Sequence, residues 1–118
     1  MSRVTLTDLM LERSLTRKNY FLNAWSHIKE IKNICKEFDQ RCRLLVFGSY
    51  VRGNITPDSD IDVLLITNLA ASPSHRGRLL ATIARKIGLE TPFEIHVVTE
   101  EEYREWYSRF INNYIEAP

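Results

Sequence analysis

Three short stretches rich in large apolar residues limit the possible folds of this chain more than any other feature. They span residues 44–47, 61–66 and 93–98, and these lengths are typical of buried strands rather than helices. Segments with helical spacing of apolar residues precede, separate and follow them. This order predicts an α/β (α+β) fold in which helices pack on a small mixed β-sheet.

Apolar residues at three- and four-residue steps predict two N-terminal helices, over residues 5–14 and 16–38. Farther along, Ser72 and Pro73 have the residue types that cap and begin a helix. Thr99 and Glu102 form a predicted capping box for a C-terminal helix over residues 99–111.

The chain has 118 residues, which is enough for one hydrophobic core. We therefore expect a single domain over residues 1–118, with N-terminal helices over 5–38 and a motif core over 44–98. It contains 16 basic and 15 acidic residues, so its composition does not indicate a surface for long nucleic acid. The oligomeric state does not follow from the sequence, and a homo-oligomer is compatible with it.

No apolar run reaches the roughly 20 residues that span a membrane, and the N-terminus lacks the apolar region of a signal peptide. We therefore expect a cytoplasmic protein without a membrane partner. Cys35 and Cys42 lack a second cysteine pair or a histidine cluster at metal-binding spacing. The simplest interpretation of these cysteines is two free thiols in a reducing compartment.

The residues that carry chemistry lie between positions 46 and 63. The first strand ends at Gly48, where the missing Cβ lets the backbone approach a ligand closely. Ser49 adds a hydroxyl at the start of a turn or short helix, where backbone N–H groups attract phosphate. Arg52 can reach the same phosphates, although a surface ion pair with Asp58 is an alternative. Gly48, Ser49 and Arg52 are therefore the candidate nucleotide-binding residues.

Asp60 and Asp62 lie at the start of the second predicted strand, and side chains two apart on a strand point to the same face. Their Cα atoms are expected to be roughly 7 Å apart, from a rise of about 3.3 Å per residue. Two carboxylates at this spacing can share a magnesium ion, or bind two ions roughly 3.5–4 Å apart. Asp62 also interrupts an apolar run, where burying an unpaired charge would be costly.

Glu94 is the candidate third carboxylate of this metal site. Alternation along the third strand places Glu94 and His96 on one face, and Glu94 can face the two aspartates if the two strands are neighbours. It could then act as general base toward an acceptor hydroxyl. We interpret His96 as an ordinary histidine of the sheet. Glu100, Glu101 and Glu102 are alternatives to Glu94, but the predicted capping box already accounts for Glu102.

The combination of Gly48-Ser49, ten intervening residues and Asp60-x-Asp62 resembles the signature of the DNA polymerase beta-type nucleotidyltransferase superfamily. With Arg52-Gly53, and with Ser59 before the first aspartate, the sequence also resembles the smallest members of this superfamily. These are the minimal nucleotidyltransferases of bacteria and archaea. The resemblance covers residues 44–98. It implies a polymerase beta-like palm fold, a triphosphate held by the Gly-Ser turn and two Mg²⁺ ions held by the acidic residues. The third acidic residue of the superfamily is often Asp, whereas this chain offers Glu94.

The resemblance also implies an activity and a partner. It implies transfer of AMP from ATP to an acceptor hydroxyl, with a tyrosine of a HEPN-type toxin as the expected acceptor and the toxin as the expected partner. One alternative is a non-catalytic antitoxin that silences a HEPN protein by binding alone. Another is a nucleotidyltransferase for a small molecule, although such relatives carry an additional substrate domain. Addition of nucleotides to RNA is disfavoured by the balanced charge.

Overall fold

A four-stranded mixed β-sheet lies at the centre of the computed structural model, which describes residues 3–56 and 58–118. The strands are β1 (Arg43–Phe47), β2 (Ile61–Ile66), β3 (Phe93–Val98) and β4 (Tyr114–Glu116). Their spatial order is β3-β2-β1-β4. Strands β2 and β3 run parallel, whereas β1 is antiparallel to both β2 and β4. The predicted α/β fold with a mixed sheet is therefore confirmed.

Five α-helices accompany the sheet in the described part of the chain. They are α1 (Leu6–Leu22), α2 (Ala24–Phe38), α3 (Ser49–Arg52), α4 (Pro73–Ile87) and α5 (Glu100–Glu105). Short 3-10 helices follow β2 at Asn68–Ala71 and α5 at Tyr107–Arg109. None of the helices within the described ranges is both long and apolar enough to cross a bilayer.

The main core lies between α2, α4 and one face of the sheet. Each helix buries one apolar stripe, and these stripes pack on alternate strand residues such as Leu44, Val46 and Val63. A smaller core on the opposite face joins Leu45 and Leu64 to the segment after α5. The same face carries polar side chains where β2 and β3 begin.

The elements with the strongest sequence signals have the predicted boundaries. Strands β2 and β3 begin and end at the predicted residues. Helix α4 begins at Pro73, and the Ser72 hydroxyl accepts a hydrogen bond from the His75 backbone N–H at 3.4 Å. The predicted Thr99–Glu102 capping box at the start of α5 is present as well.

The predicted boundary between the first two helices is wrong, because one helix runs without a break through residues 14–16. Within it the Thr16 hydroxyl donates to the Glu12 carbonyl at 2.9 Å, so this threonine satisfies its hydrogen bond inside the helix rather than capping a new one. The break lies at Asn23, whose side-chain amide donates to the Asn19 carbonyl at 3.0 Å.

The predicted C-terminal helix over 99–111 is also wrong beyond Glu105. Trp106 leaves helical geometry at φ −123° and ψ −64°, and a 3-10 turn follows. The chain then forms β4, which pairs with β1 and places Tyr114 opposite Phe47. All three residues of β4 are exposed, so the alternating burial pattern that marks a strand in sequence is missing.

The prediction of two free thiols is wrong, because Cys35 and Cys42 form a disulfide. Cys35 lies in the last turn of α2, and the turn through Asp39 brings the Cys42 Cα to 6.0 Å from the Cys35 Cα. This separation is ordinary for a disulfide. The expectation of a reducing compartment was based on two free thiols, and the disulfide removes that support.

Because the core lies on the two faces of the sheet, substitutions in the sheet are expected to lower the free energy of unfolding far more than substitutions in α1. Leu44→Ala, at a fully buried position of the main core, is expected to lower the free energy of unfolding by about 2–5 kcal/mol. Leu9→Ala in α1, at a 52 % exposed position, is the matched control and is expected to change it by less than about 0.5 kcal/mol. Urea denaturation measures both, and similar losses would contradict this assignment of the core.

Candidate active site

Strand register brings the glycine turn against an aspartate. Phe47, the last residue of β1, pairs with Asp62 on β2, and Gly48 follows directly. Gly48 has φ 80° and ψ −158°, a backbone conformation that is essentially restricted to glycine. A Cβ on Gly48 would overlap Oδ2 of Asp62 and lie 3.0 Å from its Cγ. The turn therefore needs glycine for its backbone conformation and for the space that the carboxylate occupies.

Parallel pairing between β2 and β3 adds a second carboxylate. Asp62 lies opposite Glu94 in the register, and Leu64 lies opposite His96. Because strand residues alternate between faces, Asp62, Glu94 and His96 share one face of the sheet. One ligand atom from each lies within 4.8 Å of the others. These three residues, here called the acidic cluster, are the only group of this kind among the described residues.

His96 belongs to the cluster, although its sequence position predicts only an ordinary histidine of the sheet. Its Nε2 lies 3.5 Å from Oε1 of Glu94, and its ring lies between those of Phe47 and Tyr107, with centroids 6.1 and 6.2 Å away. This packing restricts the imidazole to an orientation facing Glu94. The signal was the Glu-x-His spacing on a strand, which places both side chains on one face.

Asp60 lies beside the acidic cluster but points its carboxylate toward α1. Its Oδ1 lies 3.5 Å from the guanidinium of Arg17, which also donates a hydrogen bond of 2.8 Å to the Ser59 carbonyl. Asp60 is close enough for its charge to raise the pKa of Asp62. From the sequence, Asp60 and Asp62 are expected to share one ion or to bind two close ions, whereas the structure pairs Asp60 with Arg17, a residue outside the predicted site.

The remaining candidates surround the glycine turn. Ser49 begins α3, and its carbonyl accepts the backbone N–H groups of Gly53 and Asn54. Arg52 ends α3, is exposed, and lines a cleft of about 110 Å³ with Gly48 and residues 110–113. The first N–H groups of a helix have no acceptor within the helix. The turn and the Arg52 guanidinium thus form a donor-rich edge next to the acidic cluster.

Negative charge at the cluster is poorly compensated by the protein. Partial burial raises the pKa of Asp62 to about 6, with a further contribution from the charge of Glu94. Arg17 contacts Asp60 and not Asp62, and the favourable effect of His96 on the pKa of Asp62 is smaller than these two contributions. Close carboxylates whose ionisation is disfavoured in this way are a setting in which a bound cation is stabilising.

The donor set fits a divalent metal ion. Carboxylate oxygens from Asp62 and Glu94 are hard ligands of the kind preferred by Mg²⁺, and a separation of at most 4.8 Å lets one ion contact both. Asp60 can add an oxygen if its carboxylate turns from Arg17. Imidazole is a less usual ligand for Mg²⁺, so His96 is better suited to orienting Glu94 than to binding the ion.

The raised pKa of Asp62 predicts how stability depends on pH in a metal-free buffer. The folded-state pKa is about 6, above the ordinary value of 3.8, so the stabilisation from protonated Asp62 is complete below about pH 4 and is lost as the pH rises through 6. Asp62→Asn removes this loss. We expect the variant to unfold at a temperature a few degrees higher than the wild type at pH 7.5, with a smaller gap at pH 4.

The control variant is Asp58→Asn, which removes an exposed carboxylate outside the cluster. We expect its unfolding temperature to follow that of the wild type across the same pH range. Thermal unfolding monitored by circular dichroism measures all three proteins in the presence of a chelator. A gap between Asp62→Asn and wild type that does not change with pH would contradict the electrostatic account of the cluster.

Comparisons with known proteins agree with this geometry. A family model described as "Nucleotidyltransferase domain" matches residues 28–114, which include the glycine turn and the acidic cluster. A crystal structure described as a "putative nucleotidyltransferase" is similar at a TM-score of 0.67 and 31% identity, over 78% of this chain and 98% of the other. Another protein of that description, from Sulfolobus solfataricus, shares the fold at a TM-score of 0.54 and 18% identity, over 90% and 83% of the two chains.

The comparison with curated proteins gives no match. The family model nevertheless covers well over half of the chain. This chain therefore belongs to the nucleotidyltransferase domain family.

Proposed function

We propose that this protein transfers AMP from ATP to a tyrosine hydroxyl of a protein partner, with Mg²⁺ as cofactor. The partner proposed from the resemblance to minimal nucleotidyltransferases is a HEPN-type toxin, which the modification would silence. The observation that carries the proposal is the contact between the glycine turn and Asp62, because it joins a phosphate-binding edge to a metal-binding cluster.

In this proposal the chain holds and orients the reactants. Donors at the Gly48–Ser49 turn and Arg52 hold the triphosphate, while Asp62, Glu94 and Asp60 hold Mg²⁺. Mg²⁺ held by these residues would neutralise negative charge on the reacting phosphates. Glu94, oriented by His96 at 3.5 Å, accepts the proton of the acceptor hydroxyl.

The reaction balances as a single displacement. The acceptor oxygen forms a bond to the α-phosphorus of ATP, and the bond from that phosphorus to the oxygen bridging the β-phosphate breaks. Pyrophosphate leaves with the electron pair, and the proton of the hydroxyl passes to Glu94 and then to solvent. The product is an AMP ester of the acceptor.

Two features favour a protein acceptor over nucleic acid. Trp106 and Phe110 are 62% and 54% exposed, and Phe110 lines the same cleft as Gly48 and Arg52. Exposed aromatic side chains are enriched at protein interfaces, so a protein partner would meet them beside the site. The balanced charge of 16 basic and 15 acidic residues offers little attraction for a polyanion.

Mass spectrometry of the chain co-purified with its partner tests the proposal. After incubation with ATP and Mg²⁺, we expect the partner to gain the mass of one AMP moiety on a tyrosine. Asp62→Asn is expected to slow this gain by about 10²- to 10³-fold, the usual cost of removing one electrostatic group from a reacting centre. If Asp60→Asn/Asp62→Asn still silences the partner without modifying it, the protein acts by binding and the enzymatic proposal fails.

The two glycines with positive φ in this region give a matched pair of variants. Gly48→Ala and Gly53→Ala each strain the backbone, at φ 80° and 79°, by roughly 1–3 kcal/mol. Only the Cβ at Gly48 would displace Asp62, since nothing lies within 4 Å of one at Gly53. We therefore expect Gly48→Ala to lose AMP transfer and Gly53→Ala to retain most of it when both are folded, as checked by circular dichroism. Equal losses would contradict the role of the Gly48–Asp62 contact.

A further inference from the structure

Helix α1 carries a row of exposed side chains that no other described part of the chain covers. Leu11, Leu15 and Leu22 are 60%, 54% and 71% exposed. Asp8 and Lys18 are also exposed and continue the row, because positions 8, 11, 15, 18 and 22 follow the alternating three- and four-residue steps of a coiled-coil seam. This set is called the α1 row below.

The opposite side of α1 is the side that contacts the rest of the chain. There Arg17 donates to the Ser59 carbonyl, and the Tyr20 hydroxyl donates to the Ile87 carbonyl at 2.6 Å. None of the 17 residues of α1 is buried, and the family match begins only at residue 28. The apolar side chains of the α1 row therefore lie outside the match to the family model, and their exposure is a cost to the isolated chain.

The α1 row is complementary to itself when a second copy packs antiparallel. With the two-fold axis at the level of Arg13, each Leu11 meets the partner's Leu15, and each Asp8 meets the partner's Lys18. A parallel pair in register would instead bring aspartate to aspartate and lysine to lysine, which is unfavourable. Charge complementarity thus selects one orientation of a second copy of this chain.

We infer that two copies of this chain associate through the α1 row in this antiparallel arrangement. The contact is isologous, as expected for a two-fold symmetric dimer. A 17-residue helix is about 25 Å long, so one helix pair buries less surface than a standard protein interface and gives a dimer of modest affinity. Leu22 extends the apolar contact at each end of the pair, toward the partner's first helical turn.

One side chain opposes this arrangement. Helical geometry places the two copies of Glu12 on the same face of the helix pair, next to the central leucines. Removing this like-charge contact by Glu12→Gln is expected to tighten the dimer, whereas other surface substitutions on α1 have no reason to do so.

The pairing of Leu11 with the partner's Leu15 is tested by mixing two variants. Each of the single variants Leu11→Lys and Leu15→Glu places a charge against a leucine at both leucine contacts of the dimer. We expect each to weaken dimerisation by roughly tenfold or more. An equimolar mixture contains a heterodimer in which one leucine pair is intact and the other becomes Lys–Glu. We expect native mass spectrometry and sedimentation velocity to show dimer recovery in the mixture only.

Lys29→Glu, an exposed charge reversal on α2, is the control and should dimerise like the wild type. Circular dichroism establishes that each variant keeps its helix content. A wild-type chain that stays monomeric up to about 1 mM overturns the inference. A dimer that Leu15→Glu leaves intact also overturns it. A mixture that shows no heterodimer does so too, because a parallel pair or a different protein partner would give no heterodimer.

Discussion

The site depends on the packing of the Asp62 carboxylate against a backbone that lacks a Cβ. Antiparallel pairing of β1 with β2 places the end of β1 beside Asp62, and Gly48 leaves room for the carboxylate. Parallel pairing of β2 with β3 aligns Glu94 with Asp62. Because a one-residue slip in either register would turn these side chains to the opposite face, the buried core that sets the register also determines the geometry of the site.

This arrangement has an electrostatic consequence. The cluster keeps carboxylates close together, and the favourable effect of His96 does not cancel burial and the charge of Glu94, so the pKa of Asp62 is raised to about 6. A group held in an unfavourable charge state is a common property of functional sites. Ionised Asp62 thus lowers the stability of the folded protein, and a bound metal ion would relieve this destabilisation.

The sequence predicted the fold where burial and capping leave a clear pattern. Strands β2 and β3 are apolar over most of their length, and α4 has both a serine cap and a proline start. It missed β4, whose three residues are exposed, and it misplaced the break between α1 and α2, which depends on hydrogen bonds around Asn23. The Cys35–Cys42 disulfide requires knowledge of a turn that spacing alone does not supply.

The site residues could likewise be predicted only where their local spacing in the sequence identifies them. Local spacing identified Gly48, Asp62 and Glu94, and the structure brings these three together. The Arg17–Asp60 contact joins residues 43 positions apart, and a single sequence gives no sign of it. His96 was assigned to the sheet alone, because nothing local shows that Phe47 and Tyr107 orient its ring toward Glu94.

The most direct test of the central claim is to locate a bound divalent ion in solution. Mn²⁺ can replace Mg²⁺ at oxygen-rich sites, and its unpaired electrons broaden the NMR signals of nearby nuclei. At substoichiometric Mn²⁺, we expect the backbone amide signals of Gly48, Asp62, Glu94 and His96 to broaden first, while those of the first turn of α1 stay sharp. Broadening centred elsewhere, or spread evenly over the exposed carboxylates, would contradict the claim that the glycine turn and the acidic cluster form one metal site.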